Sequence, residues 1–323
     1  VLHKFRRYPP QTLRDIPLIG PAVSRWYERL DFKGKLSDLI ADPQIAYEAL
    51  WPYRMIRRRF GRNFEPCVSV IIATRNNETT IKASINSMLR QTMPPLEVLV
   101  IDDASDDRSI EVIRAMAERD PRIKIVENHA QLGTGLSRNI GLSMARGQYI
   151  AFQDGDDVSV NSRLEMQFRA LQRFPNKKLA TCNYVRTNDA GRTIRLNDRR
   201  TMKCIISMMF PRAEVLEKVG YFRHESVSED ADYYERIRAA FGRDCEVVVF
   251  RTLYRALFRP SSSFFQTVSI TRYDGTTLLF ERRSDALDHW EAMTAEHKQM
   301  IIGAKSTYVQ FRPSVGQSTA TTK

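Results

Sequence analysis

From Cys67 onward, short runs of aliphatic residues alternate with segments in which apolar positions recur every three or four residues. Val68-Ser69-Val70-Ile71-Ile72-Ala73 carries no charge, as a strand buried on both faces requires. After the polar turn Thr74-Arg75-Asn76-Asn77-Glu78, the positions Ile81, Ile85, Met88 and Leu89 follow the spacing of a helix stripe. Pro94-Pro95 closes that unit. The pattern then repeats. Residues 96–101 read as a strand running into Asp102-Asp103, 109–119 as a helix, 123–126 as a strand, 136–146 as a helix and 149–152 as a strand. Strands and helices alternating at this interval predict βαβ units and an α/β fold around a mainly parallel sheet. Further on, Tyr273-Asp274-Gly275 reads as a turn between two short strands, and residues 285–302 as a helix.

Residues 1–64 differ in character. Leu36, Leu39, Ile40, Ala46, Ala49 and Leu50 keep helical spacing, while prolines at 9, 10, 17, 21, 43 and 52 divide the segment into short helices. Trp51, Tyr53 and Phe60 interleave with Arg54, Arg57, Arg58, Arg59 and Arg62. That composition suits a solvated face of a helical collar, and equally an interface with anionic lipid, an anionic acceptor or a nucleic acid. The tail from Ser314 to Lys323, rich in Ser, Thr and Gly, predicts disorder.

Composition narrows the class without naming a function. With 42% apolar and 10% aromatic residues over 323 positions, the chain can build a substantial core. No stretch approaches the ~18 apolar residues of a membrane span, and residues 1–10 lack the apolar centre of a signal peptide. Cys67, Cys182, Cys204 and Cys245 form no metal-ligand spacing and read as free thiols in a reducing compartment. The expectation is a cytoplasmic protein. A net charge of +12 favours anionic partners, namely a nucleotide diphosphate or the anionic inner face of a membrane touched peripherally. Nucleic-acid binding rests on charge alone and is not expected.

The acids are more specific. Two predicted strands end in acidic clusters, Asp102-Asp103 and Asp154-Gly155-Asp156-Asp157. Ligands of parallel sheets bind beyond the carboxyl ends of the strands. Clustered carboxylates there repel one another unless a cation offsets their charge. A hard divalent ion such as Mn²⁺ or Mg²⁺ takes a few carboxylates and completes its shell with water and phosphate oxygens. The alternative is an acidic turn that merely caps the next helix.

These motifs occur in an order that resembles the family 2 glycosyltransferases with a GT-A fold, over about residues 68–263. VSVIIATRNNE looks like the family's first strand and nucleotide loop. SINSMLRQTMPPLEVLVIDDASDD matches its helix, Q-T turn and second strand, and LGTGLSRNIGLSMARGQYIAFQDGDD is similar to its third block. The resemblance implies a Rossmann-like GT-A domain over 65–263, with a nucleotide-sugar half (65–160) and an acceptor half (161–263). Around it lie a helical N-terminal extension (1–64) and a C-terminal extension with a disordered tail (264–323).

It also implies roles. Thr74 and Asp103 would contact the base and ribose, with Asn76 and Glu78 on the same nucleotide loop. Arg138 would lie near the nucleotide or diphosphate. Asp154 would face the ribose and donor sugar, Asp156 would ligate the metal with help from Asp154, and Asp157 would support the loop. The implied activity is inverting transfer of a hexosyl or N-acetylhexosaminyl group from a nucleotide sugar, with UDP expected, to a glycan or lipid-linked glycan. Arg75 stands where the family often has Tyr, so stacking on the base would fall to a guanidinium.

The Ser228-Glu229-Asp230 segment resembles the family's catalytic E-D segment at a helix start. Asp230 would be the general base, Glu229 would position the acceptor, and Asp232 is a weaker rival. Arg255 and Arg259 with Ser261, Ser262 and Ser263 resemble the family's closing segment and would grip the diphosphate. His224, just before the base, reads as structural. Two other classes stay open: a non-catalytic sugar-nucleotide-binding scaffold, and a nucleotidyltransferase. Loss of Asp154, Asp156 or Asp230 would mark the first, and a Gly-rich basic phosphate loop the second. The chain shows neither feature.

Overall fold

The computed structural model describes residues 67–311, except 189, 198, 225–227 and 260–262, together with 318–320. The expected helical extension over 1–64, with its arginine and aromatic cluster, lies outside the described residues, as do Ser261 and Ser262.

Four strands predicted from the apolar runs form the centre: β1 (Val68–Thr74), β2 (Glu97–Asp102), β3 (Ile123–Asn128) and β4 (Tyr149–Asp154). Helices α1 (Ile81–Leu89), α2 (Ser109–Ala117) and α3 (Thr134–Met144) connect them. β1 pairs in parallel with both β2 and β4, and β3 continues beyond β2. Both faces are covered. Val68, Val70 and Ile72 join Ile81, Ile85 and Met88 of α1 in one core, while Ile71 packs with Leu99, Ile140 and Phe152 in the other. This two-sided burial explains the uncharged runs. The register sets Thr74 opposite Asp102 and Ala73 opposite Asp154, so the strands deliver their polar ends to one edge.

The second half is less regular. It comprises β5 (Val158–Ser159), α4 (Arg163–Arg173), β6 (Leu179–Thr187), β7 (Thr193–Leu196), β8 (Met202–Pro211), α5 (Arg212–Lys218), α6 (Glu229–Phe241) and β9 (Glu246–Leu257). β8 inserts antiparallel between β4 and β6, and β9 lies parallel to β6 while pairing antiparallel with β5. The sheet is therefore parallel at its centre and mixed beyond β4.

Residues after 263 are built onto this unit. β10 (Val268–Tyr273) and β11 (Thr277–Arg282) flank the expected turn, and β11 joins β7. Helix α7 (Ser284–Ile301) packs on α6 through a buried polar cluster. There Asp232 accepts hydrogen bonds from Arg236 Nε at 2.7 Å and pairs with His297 Nε2 at 2.9 Å. Arg236 also donates to the carbonyls of Val219 and Tyr221. Burial alone would raise the Asp232 pKa, but the His297 hydrogen bond and the Arg236 and Arg223 charges hold it below the ordinary value. Asp232 thus braces α6 and is withdrawn from the role of rival base.

Within the tail expected to be disordered, the described residues Ser318–Ala320 form β12, antiparallel to β3. An edge strand presents unpaired N–H and C=O groups, and three small residues suffice to pair with them. No helix among the described residues is long and apolar enough to cross a membrane.

Gly147 tests the close approach of β4 to β1. A Cβ there would lie 2.5 Å from the Ser69 nitrogen and 2.8 Å from the Cys67 carbonyl oxygen, both backbone atoms that cannot step aside. Gly147→Ala is expected to destabilise the fold by about 1–3 kcal/mol in urea titration.

Candidate active site

Beyond β4 the chain turns through Asp154-Gly155-Asp156-Asp157, and carboxylate oxygens of the three acids lie within 4.8 Å of one another. Gly155 makes the turn possible. A Cβ at that position would collide with the Thr74 side chain and lie 3.0 Å from Asn77 Nδ2, so only glycine lets the acidic loop sit on the end of β1. The loop is held from several sides. Ser84 donates to the Asp154 carbonyl at 2.7 Å, the Leu257 amide donates to Asp157 Oδ1 at 2.8 Å, and Asn77 Nδ2 donates to Thr74 Oγ1 at 3.0 Å.

Crowding and burial change the acids' chemistry. Burial first, and then the Asp154 charge, push the Asp156 carboxyl up to about 6, against the pull of Arg259 and Arg186. Asp157 is raised well above the ordinary carboxylate value by burial and by Asp156 and Asp154. A hard divalent cation fits this donor set, since it would offset the repulsion that the acids otherwise relieve by holding protons. Asp154 and Asp156, each partly exposed, are the candidates to hold it, while Asp157 is buried and occupied by a backbone amide.

Arg138, on α3, is almost entirely buried behind this loop. Its guanidinium donates to Asp154 Oδ1 at 2.9 Å and to Glu229 Oε1 at 3.1 Å, and lies 5.7 Å from the Phe152 ring centroid and 5.6 Å from that of Phe222. Burial by itself would lower its pKa, but Asp154, Glu229 and Asp230 raise it. Arg138 therefore joins the acidic loop at the end of β4 to the start of α6.

At that start Glu229 is committed to Arg138, whereas Asp230 accepts the Ala231 amide at 2.8 Å and has no ion-pair partner among the described residues. Burial, opposed by Arg138 and reinforced by Asp154, raises the Asp230 pKa, so its ionised form is a stronger base than an exposed aspartate. Burial also raises Glu229, with Arg138 acting against it. Ser228, directly before the pair, holds φ at 62°. Asn76 and Ala104, in the loops after β1 and β2, are left-handed as well, at φ 52° and 56°. Three of the chain's four described non-glycine residues with positive φ thus surround one edge of the sheet, where backbone strain commonly accompanies function.

The remaining candidates divide. Asp103 caps the approach to α3: its carboxylate accepts the amides of Leu132 and Gly133, each at 2.8 Å, and Asn128 Nδ2 at 2.9 Å. Asn76 and Glu78 stitch the β1 loop to the β2 loop. Asn76 exchanges hydrogen bonds with Ser105 and Asp106, and Glu78 with Asp107 and Arg108. Arg75 pairs loosely with Asp106 at 3.9 Å.

Arg255 is not brought to the acids. It is exposed on β9, while its neighbour Tyr254 takes the inward position and its hydroxyl accepts the Asp154 amide at 3.2 Å. Strand alternation makes the two mutually exclusive. Arg259 reaches the site instead, donating to Asn77 Oδ1 at 3.2 Å and Thr80 Oγ1 at 2.7 Å. Arg186, whose charge also acts on Asp156, stacks 4.7 Å from the Phe264 ring centroid. Asn77, Thr80 and Arg186 are not singled out by the sequence: the Asn76-Asn77-Glu78 turn is a signal for Asn77, whereas Arg186 sits in an ordinary strand pattern. Tyr254 directly precedes Arg255 in the segment that resembles the family's closing motif, without a role of its own there. His224 is exposed.

The acids thus lie beyond the carboxyl ends of the parallel strands, where ligands of open α/β sheets bind. Residues 69–246 match the family described as Glycosyl transferase family 2, and the chain belongs to that family. It is similar to an uncharacterized glycosyltransferase of Methanocaldococcus jannaschii, 38% identical over 114 residues covering 35% of this chain and 39% of that protein. It is also similar to the Escherichia coli UDP-Glc:alpha-D-GlcNAc-diphosphoundecaprenol beta-1,3-glucosyltransferase WfgD, 42% identical over 104 residues covering 32% of this chain and 40% of that protein. The matched segment spans about two fifths of the length of the curated relatives. Among solved structures, S. aureus TarS 1-349 in complex with UDP-GlcNAc shares the fold, with a TM-score of 0.53 at 19% identity over 74% of this chain and 71% of that one. The fold is thus of the GT-A type expected from the sequence.

Asp156 supplies a stability test. Its folded pKa of about 6 exceeds the unfolded value of 3.8, so the ionised acid costs the fold stability above that window, and the cost is relieved as pH falls from about 6 towards 4. Asp156→Asn is expected to stabilise the metal-free protein at pH 7.5 by on the order of 1–3 kcal/mol, read as a higher melting temperature, and to remove that part of the pH dependence. An unchanged or lower melting temperature would contradict the burial argument.

Proposed function

We propose that this chain transfers a sugar from a UDP-sugar to a hydroxyl of a glycan or lipid-linked glycan, with inversion at the anomeric carbon. The observation that carries the reading is the division of labour around Arg138. That side chain engages Asp154 and Glu229, which leaves Asp230 unpaired among the described residues, basic and beside the acidic loop. In this mechanism Asp230 takes the proton of the acceptor hydroxyl as its oxygen bonds to the anomeric carbon and the bond to the diphosphate oxygen breaks. Glu229, fixed by Arg138, orients the acceptor. Asp154 and Asp156 would hold Mn²⁺ or Mg²⁺, which supplies Lewis-acid stabilisation of the departing diphosphate. Arg259 and Arg186 add positive charge on the same side, and the loops carrying Thr74, Asn76, Glu78 and Asp103 shape the nucleotide pocket. The name of WfgD, with its UDP-Glc donor and diphosphoundecaprenol-linked acceptor, supports both the uridine nucleotide and a lipid-linked acceptor.

The test is a panel of nucleotide sugars with and without Mn²⁺, read by thermal shift and by release of nucleotide diphosphate. A UDP-sugar should stabilise the protein in a metal-dependent way, and no response to any UDP-sugar would sink the proposal. Asp230→Asn should retain donor binding and lose transfer by roughly 10²–10⁴-fold. A fully active variant would remove Asp230 as base. Because burial raises the Asp230 pKa, the acid limb of kcat should lie above the range of exposed carboxylates, with activity rising as pH increases through it.

A further inference from the structure

Behind the acidic loop lies a buried cation that the mechanism above does not use. Arg163, on α4, is fully buried and distributes its N–H groups over neutral acceptors alone. Nε donates to Gln167 Oε1 at 3.1 Å, and one terminal nitrogen donates to Gln153 Oε1 at 2.9 Å and Ser159 Oγ at 3.0 Å. The other donates to the carbonyls of Phe152 at 2.6 Å and Ser207 at 3.1 Å. No carboxylate pairs with it among the described residues. A buried charge without an ion pair is costly, and here three acids lie one residue layer away.

That layer is Tyr254. Its side chain is fully buried, with the Arg163 guanidinium 5.1 Å from its ring centroid. Its hydroxyl oxygen accepts the Asp154 amide at 3.2 Å, and its hydrogen goes to the Asp157 carboxylate. One hydroxyl thus fixes the backbone at the first acid and the side chain of the last, with Gly155 and Asp156 between them. A cation over the ring withdraws electron density from the phenol and strengthens the O–H as a donor.

We propose that Tyr254, backed by Arg163, is a positioning residue that sets the divalent-metal affinity of the acidic loop by holding Asp154 and Asp157 so that Asp156 and Asp154 converge on one ion. The inference rests on the metal-dependent reading of the site. Tyr254 does not touch the ion. It lowers the cost of arranging the ligands, and Arg163 balances the negative loop from behind.

The experiment measures Mn²⁺ binding in the presence of UDP by the electron paramagnetic resonance signal of free Mn²⁺, for wild type, Tyr254→Phe, Asp157→Asn and the double variant. Tyr254→Phe keeps the ring on Arg163 and removes only the hydroxyl. Loss of this hydrogen bond should weaken Mn²⁺ binding up to about tenfold. Metal-free UDP binding should be unchanged, and transfer should recover at saturating Mn²⁺. In the Asp157→Asn background the same substitution should have a smaller effect than in the wild type, because only the Asp154 amide is then left for the hydroxyl to hold. Wild-type Mn²⁺ affinity in Tyr254→Phe, an equal loss of UDP affinity without metal, or effects that multiply in the double variant would each overturn the proposal. Should Tyr254→Phe fail to fold, Asp157→Asn alone must weaken Mn²⁺ binding and leave metal-free UDP binding intact. A wild type that takes up no Mn²⁺ with UDP would instead defeat the metal-dependent reading itself.

Discussion

The buried guanidinium of Arg138 ties the molecule's two halves together. It comes from α3, in the parallel half, and its two ion pairs reach the end of β4 and the start of α6, which belong to different stretches of chain. Desolvating a guanidinium is expensive, and both carboxylates are needed to offset it. Removing one partner of such a buried pair typically costs about 3–5 kcal/mol. This dependence locks the spacing between the acidic loop and the proposed base. It also explains why Arg138, expected beside the nucleotide or diphosphate, is enclosed by Phe152, Phe222 and two acids.

Around that pairing the site is built from compensated strain. Three left-handed non-glycine residues, a glycine turn pressed onto Thr74, and carboxylates with raised pKa values occupy one edge of a close-packed sheet. None of these would persist on a loose scaffold. The two apolar layers around β1 and the brace of Asp232, Arg236 and His297 beneath α6 supply the rigidity. The brace shows that the region after residue 263 is continuous with the domain. His297 comes from α7, and the Val309 carbonyl accepts the Tyr221 amide at 3.0 Å.

Much of this was legible in the sequence. Uncharged β-branched runs can only be buried strands, and helical stripes between them can only cover a parallel sheet, so the order of the central elements followed from periodicity. The acids at the ends of two predicted strands do lie at one edge of the sheet. The motifs that resemble family 2 glycosyltransferases placed Asp154, Asp156, Glu229 and Asp230 in order along the chain.

What periodicity could not give was partnership across distance. The antiparallel insertion of β8 between β4 and β6, the pairing of β12 with β3, and the choice of Arg259 over Arg255 all depend on long-range register. A one-residue shift in a strand exchanges the inward and outward side chains, so neighbours such as Tyr254 and Arg255 cannot be told apart by composition. Which residue types lie at the strand ends follows from the chain alone, because burial and the two-residue period dictate them. Which acid is paired, which is left basic and which cation stands behind them follows from the folded arrangement. Those properties are set by desolvation and by charges brought close from distant parts of the chain.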